Sequence, residues 1–270
     1  MKYALFTGAG GGLGGAGARA LAAAGWTVFA ADINRAALEE IGQVPGIIPV
    51  YMNVTSEESI REAVAEVRKT TDTLQAVINF SGIHTMASMV EGEIGKTLQK
   101  MIDINVLGMV RVNRAFFGMI RAGGGRIINC SSECGYMKPQ PFNGPYTVTK
   151  YAVEAYNDSL RRELMYLGVP VVKIQPGSFK TNMHSDASAG FEKLLASTEF
   201  YTKVLNKMRP LMEMEFKMAN DPKYLVNALL KAVQADKPKI NYRVKNSKLL
   251  GMAELVPDAL LDAVYRVILK

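Results

Sequence analysis

The chain is poor in cysteine, with only Cys130 and Cys134 among 270 residues. Two thiols cannot staple a secreted scaffold. Their C-x-x-x-C spacing has no further cysteine or histidine beside it, so no metal site is expected. Histidine is as scarce, with His84 and His184 alone. No run reaches the roughly 18 apolar residues of a membrane-spanning helix, and the glycine-rich start "MKYALFTGAGG" lacks the apolar stretch of a secretory leader. A reducing, cytoplasmic setting is therefore the expectation. No tract is polar or charged enough to stay disordered. Neither sign of charge dominates: 32 Lys and Arg face 25 Asp and Glu, a net of +7. The basic residues are scattered, which argues against nucleic acid as a partner. A mildly basic surface suits an anionic small molecule equally well.

Apolar residues make up 49% of the chain, enough for a sizeable core. Residues 2–7, "TVFAAD", "LQAVINF", "GRIINCSS" and "VPVVKIQPG" read as buried strands. Between them lie helical stretches: "GARALAAAGW", "SEESIREAVAEVRK" with Ser56 as N-cap, a long one over "GKTLQKMIDINVLGMVRVNRAFFGMIR", and "GPYTVTKYAVEAYNDSLRREL". Strands alternating with helices of this length imply right-handed βαβ units and an α/β fold, a doubly wound parallel sheet with helices on both faces. One domain over 1–270 is the simplest organisation.

Residues 182 to about 220 break the rhythm and are rich in methionine (Met183, Met208, Met212, Met214, Met218). They read either as core packing or as a mobile lid over an apolar ligand. The end of the chain, 257–270, reads as an amphipathic helix with Leu260, Leu261, Val264, Val267 and Ile268 at helical spacing. It packs on the domain, on a partner subunit or on a membrane surface.

"FTGAGGGLGGAG" follows the first strand directly and opens a helix. A helix N-terminus offers free amide donors and a partial positive charge, a seat for a pyrophosphate. Gly8, Gly12 and Gly14 let the backbone turn tightly and approach phosphates. Asp32 ends the second strand, placed to accept from an adenosine ribose and to repel a 2′-phosphate, which points to NAD. Tyr146 and Lys150, four apart, share a helix face. A lysine ammonium beside a phenol favours the phenolate, so the Tyr146 pKa is expected to fall.

Together, the glycine loop, the strand-end acid and Tyr-x-x-x-Lys resemble the short-chain dehydrogenase/reductase family of the short type, over residues 1 to about 181. The resemblance implies a Rossmann-like fold. "INV" carries Asn105, similar to the family's helix asparagine, and "INCSS" carries Ser132, similar to its catalytic serine. "QPGSFKT" resembles its Pro-Gly turn. The resemblance therefore assigns Asn105, Ser132, Tyr146 and Lys150 to catalysis. It assigns Gly8, Gly12, Leu13, Gly14, Asp32, Asn53, Val54, Asn79, Ser81, Gly82, Tyr146, Lys150, Pro176, Gly177 and Thr181 to the cofactor. Three departures stand out: "NFSG" puts Ser81 where alanine is usual, Asn53 replaces an aspartate near the adenine, and Ser132 precedes Tyr146 by fourteen residues instead of thirteen.

In the mechanism so implied, Tyr146 exchanges the alcohol proton, Lys150 tunes it and binds the nicotinamide ribose, Ser132 hydrogen-bonds the substrate oxygen, and Asn105 holds a water linking Lys150 to solvent. Glu133, Cys134 and Met183 are candidates for the substrate pocket. The stretch 156–181 is most similar to the hydroxysteroid and retinol dehydrogenase branch. This implies NAD-linked interconversion of a secondary alcohol and a ketone on an apolar scaffold such as a steroid or bile acid. A 3-oxoacyl or retinoid enzyme and a non-catalytic NAD-binding regulator are the alternatives. The family is commonly dimeric or tetrameric, and a peripheral membrane contact is compatible with the tail. Asp32→Ala is expected to shift preference toward NADP, measured as the ratio of kcat/KM with the two cofactors; an unchanged ratio would remove Asp32 from the ribose site.

Overall fold

Tyr3–Thr7 (β1) alternates its side chains between two cores. Ala4 and Phe6 enter one, with Leu21, Leu225 and Leu229, while Leu5 enters the other, with Phe29, Val112 and Phe116. A strand buried on both faces must be covered by helices on both faces. The computed structural model describes the backbone of residues 1–270 and all side chains except those of residues 182–184. Met183, a candidate pocket residue, and His184 therefore lie outside the described side chains.

The strands Thr27–Asp32 (β2), Ile47–Tyr51 (β3), Ala76–Asn79 (β4), Arg126–Cys130 (β5), Val171–Pro176 (β6) and Asn241–Val244 (β7) join β1 in one parallel sheet ordered β3-β2-β1-β4-β5-β6-β7. The helices are Gly12–Ala23 (α1), Arg35–Ile41 (α2), Glu57–Arg68 (α3), Ile94–Ile102 (α4), Gly108–Ala122 (α5), Gly144–Leu164 (α6), Asn182–Ser197 (α7), Thr202–Lys217 (α8), Lys223–Gln234 (α9), Lys248–Ala253 (α10) and Asp258–Leu269 (α11). Strand order reverses between β1 and β4, so the crevice at their C-terminal ends is where a ligand belongs in such a sheet.

The two strands that the sequence pattern does not reveal are the two edges. β3 carries Pro49 and is half-exposed, and β7 is mostly exposed and holds Asn241 and Arg243. Polar residues and proline are how edge strands avoid further pairing, and they erase the apolar signal. Ser56 caps α3 as expected, its hydroxyl accepting from the Ser59 amide at 3.2 Å. The expected long helix is interrupted by a π-helical turn, Asp103–Leu107, at Asn105.

The methionine-rich region forms α7 and α8 over a small core of Met86, Phe191, Leu194, Leu205 and Met212, with Met208 packed on it. Met214 and Met218 are exposed. Beneath α6, Lys173 of β6 is buried, and its ammonium pairs with Glu154 at 2.7 Å and Asp158 at 3.0 Å. Gln175 donates to the other Glu154 oxygen at 2.9 Å. Removing one partner of a buried pair strands the other charge. Lys173→Met is thus expected to cost about 3–5 kcal/mol in denaturant unfolding, much of it recovered in Lys173→Met/Glu154→Leu. A single-variant loss within the range of an exposed pair would show that the pair is not desolvated.

Candidate active site

The β1–α1 turn is as tight as its glycines allow. Gly8 has φ +70°, and a Cβ there would lie 2.7 Å from the Phe80 carbonyl carbon. A Cβ on Gly14 would lie 2.0 Å from the Gly8 carbonyl oxygen. Asp32 braces the turn: one carboxylate oxygen accepts from the Gly10 amide at 2.8 Å and the other from Asn34 at 2.9 Å. From this turn a cavity of about 700 Å³ runs along the strand ends. Gly8, Gly12, Leu13, Gly14, Asp32, Asn53, Val54, Ser81, Gly82, Ser132, Tyr146, Lys150, Pro176, Gly177 and Thr181 all line it, Thr181 close beside Gly12. The cradle a Cβ would fill, the helix N-terminus and the acceptor beside it fit a dinucleotide.

Three residues assigned from the resemblance sit differently from the expectation. Asn79 is fully buried beneath the cavity, where its amide donates to Asn113 at 2.7 Å and Asn129 at 2.9 Å. It supports the cofactor floor from below. Asn53 spends its amide oxygen on the Thr55 amide and hydroxyl, at 3.0 and 2.8 Å, so its N–H donors, rather than its oxygen, remain for an adenine. Asn105 spends both amide protons, on the Ile83 carbonyl at 2.9 Å and the Thr149 hydroxyl at 3.1 Å, and its oxygen accepts from the Ile83 amide at 2.8 Å. Its side chain clamps the segment after β4 to the residue next to Lys150.

At the far end, Ser132, Tyr146 and Lys150 are all buried. The Ser132 hydroxyl accepts from the Cys134 amide at 3.2 Å, leaving its own proton to donate. Lys150 donates to the Cys130 carbonyl at 3.1 Å, with its ammonium 5.5 Å from the centre of the Tyr146 ring. The expected fall in the Tyr146 pKa does not occur. Burial pushes it well up, the thiols of Cys134 and Cys130 add to this, and only the hydrogen bond with Ser132 opposes it. Burial likewise lowers the Lys150 pKa. Desolvation penalises whichever form is charged, and it is the largest influence on both groups here.

His84 lies against Tyr146, ring centroids 4.3 Å apart, with Nε2 2.8 Å from the Asn143 amide oxygen. Glu133 and Cys134 both line the cavity beside Ser132. Burial raises the Glu133 pKa, and its carboxylate accepts from the Ser247 amide at 2.6 Å. The Cys134 thiol is pushed up to about 11, first by burial, so it is no reactive thiolate. Ile83, Gln140, Glu215, Phe216 and Leu250 also line the cavity. Glu215, Phe216 and Leu250 come from elements distant in sequence, and only the methionine-rich break hinted at the α8 pair.

The arrangement offers two hydroxyls to one oxygen atom of a ligand, with an ammonium behind them, at one end of a dinucleotide-sized cleft. The sequence profile of the short chain dehydrogenase family matches residues 2–191. Human retinol dehydrogenase 16 is 31% identical over 97% of this chain and 87% of its own length. Human 17-beta-hydroxysteroid dehydrogenase type 6 is 34% identical over 67% of this chain and 58% of its own. Among solved structures, a short chain dehydrogenase/reductase from Burkholderia phymatum in complex with NAD superposes with a TM-score of 0.75 at 20% identity, over 89% of this chain and 88% of that one. The 3-ketoacyl-(acyl-carrier-protein) reductase of Brucella melitensis, complexed with NADH, gives 0.72 at 20% identity over 90% and 96%. At such identities these two establish the fold. With the family profile covering most of its length, the chain belongs to the short chain dehydrogenase family and is an oxidoreductase acting on an alcohol or a carbonyl.

Proposed function

We propose that the protein interconverts a secondary alcohol and a ketone on an apolar scaffold of the hydroxysteroid class, using NAD(H). The observation that carries this reading is one continuous cavity with the glycine turn and Asp32 at one end and Ser132, Tyr146 and Lys150 at the other. The nicotinamide, when bound, exchanges the hydride. The protein positions the substrate and handles its proton. The Ser132 hydroxyl, oriented by the Cys134 amide it accepts from, donates its proton to the substrate oxygen and stabilises charge developing there. The Tyr146 hydroxyl gives that oxygen a proton in reduction and takes it in oxidation. Lys150 supplies positive charge behind the phenol.

NAD is favoured by the Asp32 carboxylate at the mouth of the turn and by the absence of Lys or Arg within the loop. Arg35, the nearest cation in sequence, lies with its guanidinium over the Tyr51 ring at 3.9 Å. The apolar substrate is supported by Ile83, Phe216 and Leu250 in the cavity wall. A retinoid alcohol is the second reading, favoured by the match to a retinol dehydrogenase along nearly the whole chain.

The test is initial rates with NAD and NADP against hydroxysteroids, bile acids, retinol and short secondary alcohols. Tyr146→Phe is expected to lower kcat by at least about a hundredfold, in line with the contribution of acid/base catalysis, while NAD binding persists by fluorescence titration. A fully active variant would remove Tyr146 from proton transfer. Because burial raises the Tyr146 pKa, the protonated acid predominates near neutral pH. Reduction should be flat there and fall only at high pH, whereas oxidation should climb with pH. An oxidation rate independent of pH would overturn the assignment.

A further inference from the structure

We propose that Glu133 is a positioning residue for Ser132: its carboxylate fastens the start of α10 to the turn that carries the serine, so that the Ser132 hydroxyl and part of the cavity wall are set by one contact. The proposal rests on the role given to Ser132 above.

Glu133 borders the cavity, yet it is only 5% exposed. A carboxylate so buried is ordinarily matched by a cation. Among the described residues no Lys or Arg acts on it, and the charged group that does is the like charge of Glu215 on α8. What holds Glu133 instead is the C-terminal segment. The Ser247 amide donates to its Oε2 at 2.6 Å, and the Asn246 side chain adds a weaker hydrogen bond. Hydrogen bonds to an ionised acceptor are shorter and about twice as strong as neutral ones. A buried carboxyl that is perturbed in a cleft, and that proton transfer does not use, is a candidate for another task there.

The first end of the link is the serine. Ser132 caps the short turn Glu133–Gly135. Its hydroxyl accepts from the Cys134 amide at 3.2 Å and its carbonyl from the Gly135 amide at 3.0 Å. The direction of the hydroxyl is therefore the direction of the turn. One side of the turn is hard against α6, since a Cβ on Gly135 would lie 2.9 Å from the Lys150 carbonyl oxygen. On another side the Glu133 carboxylate holds it to Ser247.

The second end is the cavity wall. Ser247 is the N-cap of α10, its hydroxyl accepting from the Leu250 amide at 3.3 Å, and Leu250 lines the cavity. α10 has six residues, none of them buried. A helix of that length does not hold itself together, and with so little packing its place depends on polar ties. A continuous path thus runs from Ser132 through Glu133 and Ser247 to Leu250. Glu133 faces the cavity with its carboxylate already committed to the protein, which makes it a brace for the site instead of a contact for the substrate.

The test compares Glu133→Gln and Glu133→Leu with the wild type, each also in the Ser132→Ala background. Gln keeps an oxygen for the Ser247 amide; Leu keeps the bulk and loses the acceptor. Rates with NAD are measured on the best secondary alcohol of the panel above and on a small water-soluble one. Glu133→Leu is expected to lower kcat at least about tenfold on both alcohols, with KM and NAD binding little changed, because a small misplacement of a catalytic group is costly. Glu133→Gln should recover most of that loss. In the Ser132→Ala background the Leu substitution should cost little more, since a group acting through Ser132 has nothing left to position. Amide exchange reads the link without turnover: residues 132–137 and 246–251 should lose protection together in Glu133→Leu and keep it in Glu133→Gln. Additive losses in the Ser132→Ala background, or a loss confined to KM or to the larger alcohol, would overturn the proposal and make Glu133 a substrate contact. Full activity or unchanged exchange in Glu133→Leu would overturn it as well. A wild type that oxidises no secondary alcohol, while Glu133→Leu loosens both segments, would sink the functional reading and leave the brace standing.

Discussion

Four buried asparagines hold the catalytic helix to the sheet. Asn79 of β4 donates to Asn113 of α5 and Asn129 of β5, and Asn129 donates in turn to Asn157 of α6 at 3.0 Å. Asn113 adds the Tyr156 hydroxyl at 3.1 Å. Each link joins a different element, so the chain of amides fixes the register of α6 against the two strands at the topological switch. A buried amide left without partners costs about 1–3 kcal/mol, so no member can slip by one hydrogen bond without penalty. Tyr146 and Lys150 inherit their position from this arrangement: Asn157 lies on the same helix, and Asn105 grips Thr149 one residue before Lys150. The precision that two hydroxyls need around one substrate oxygen is therefore set by polar contacts deep beneath the pocket as much as by the pocket wall.

The parts of the site that were legible in the sequence are those whose physics is local. The glycine turn depends on backbone that only glycine adopts within a few residues, and Asp32 reaches it through a bond to Gly10. Tyr146 and Lys150 share a helix face by spacing alone. What was not legible depends on chain brought from far away. β7 looks like a basic loop because an edge strand has one free side. Leu250 and Phe216 enter the cavity only because α8 and α10 fold over it. The sign of the Tyr146 shift was misread for the same reason. Spacing reveals a neighbouring ammonium, but desolvation is a property of the whole surrounding shell.

The C-terminal segment is tied to the catalytic loop at several points. Glu133, next to Ser132, accepts from Ser247. A Cβ on Gly177 would lie 2.3 Å from the Lys245 carbonyl oxygen, so the Pro-Gly turn is pressed against the same segment. Lys138, a few residues past Ser132, is held by Glu254, Val256 and Asp258. The segment carrying α10 and α11 is thus joined to the chain around and after Ser132 through short polar contacts.

Burial acts on the ionisable groups at the catalytic end in one sense. It raises the Tyr146 phenol and the Glu133 carboxyl and lowers the Lys150 ammonium, pressing each toward its neutral form. Neutral walls are a poor trap for ions and a good amplifier of them. In a dry cleft the field of a hydroxyl dipole is screened far less than in water, so Ser132 and Tyr146 act most strongly on whatever charge appears between them. During the reaction that charge is the oxygen of the alcohol or ketone. A site tuned this way gains little from gripping the neutral substrate and more from the moment its oxygen becomes anionic, which is the condition for binding energy to appear as rate.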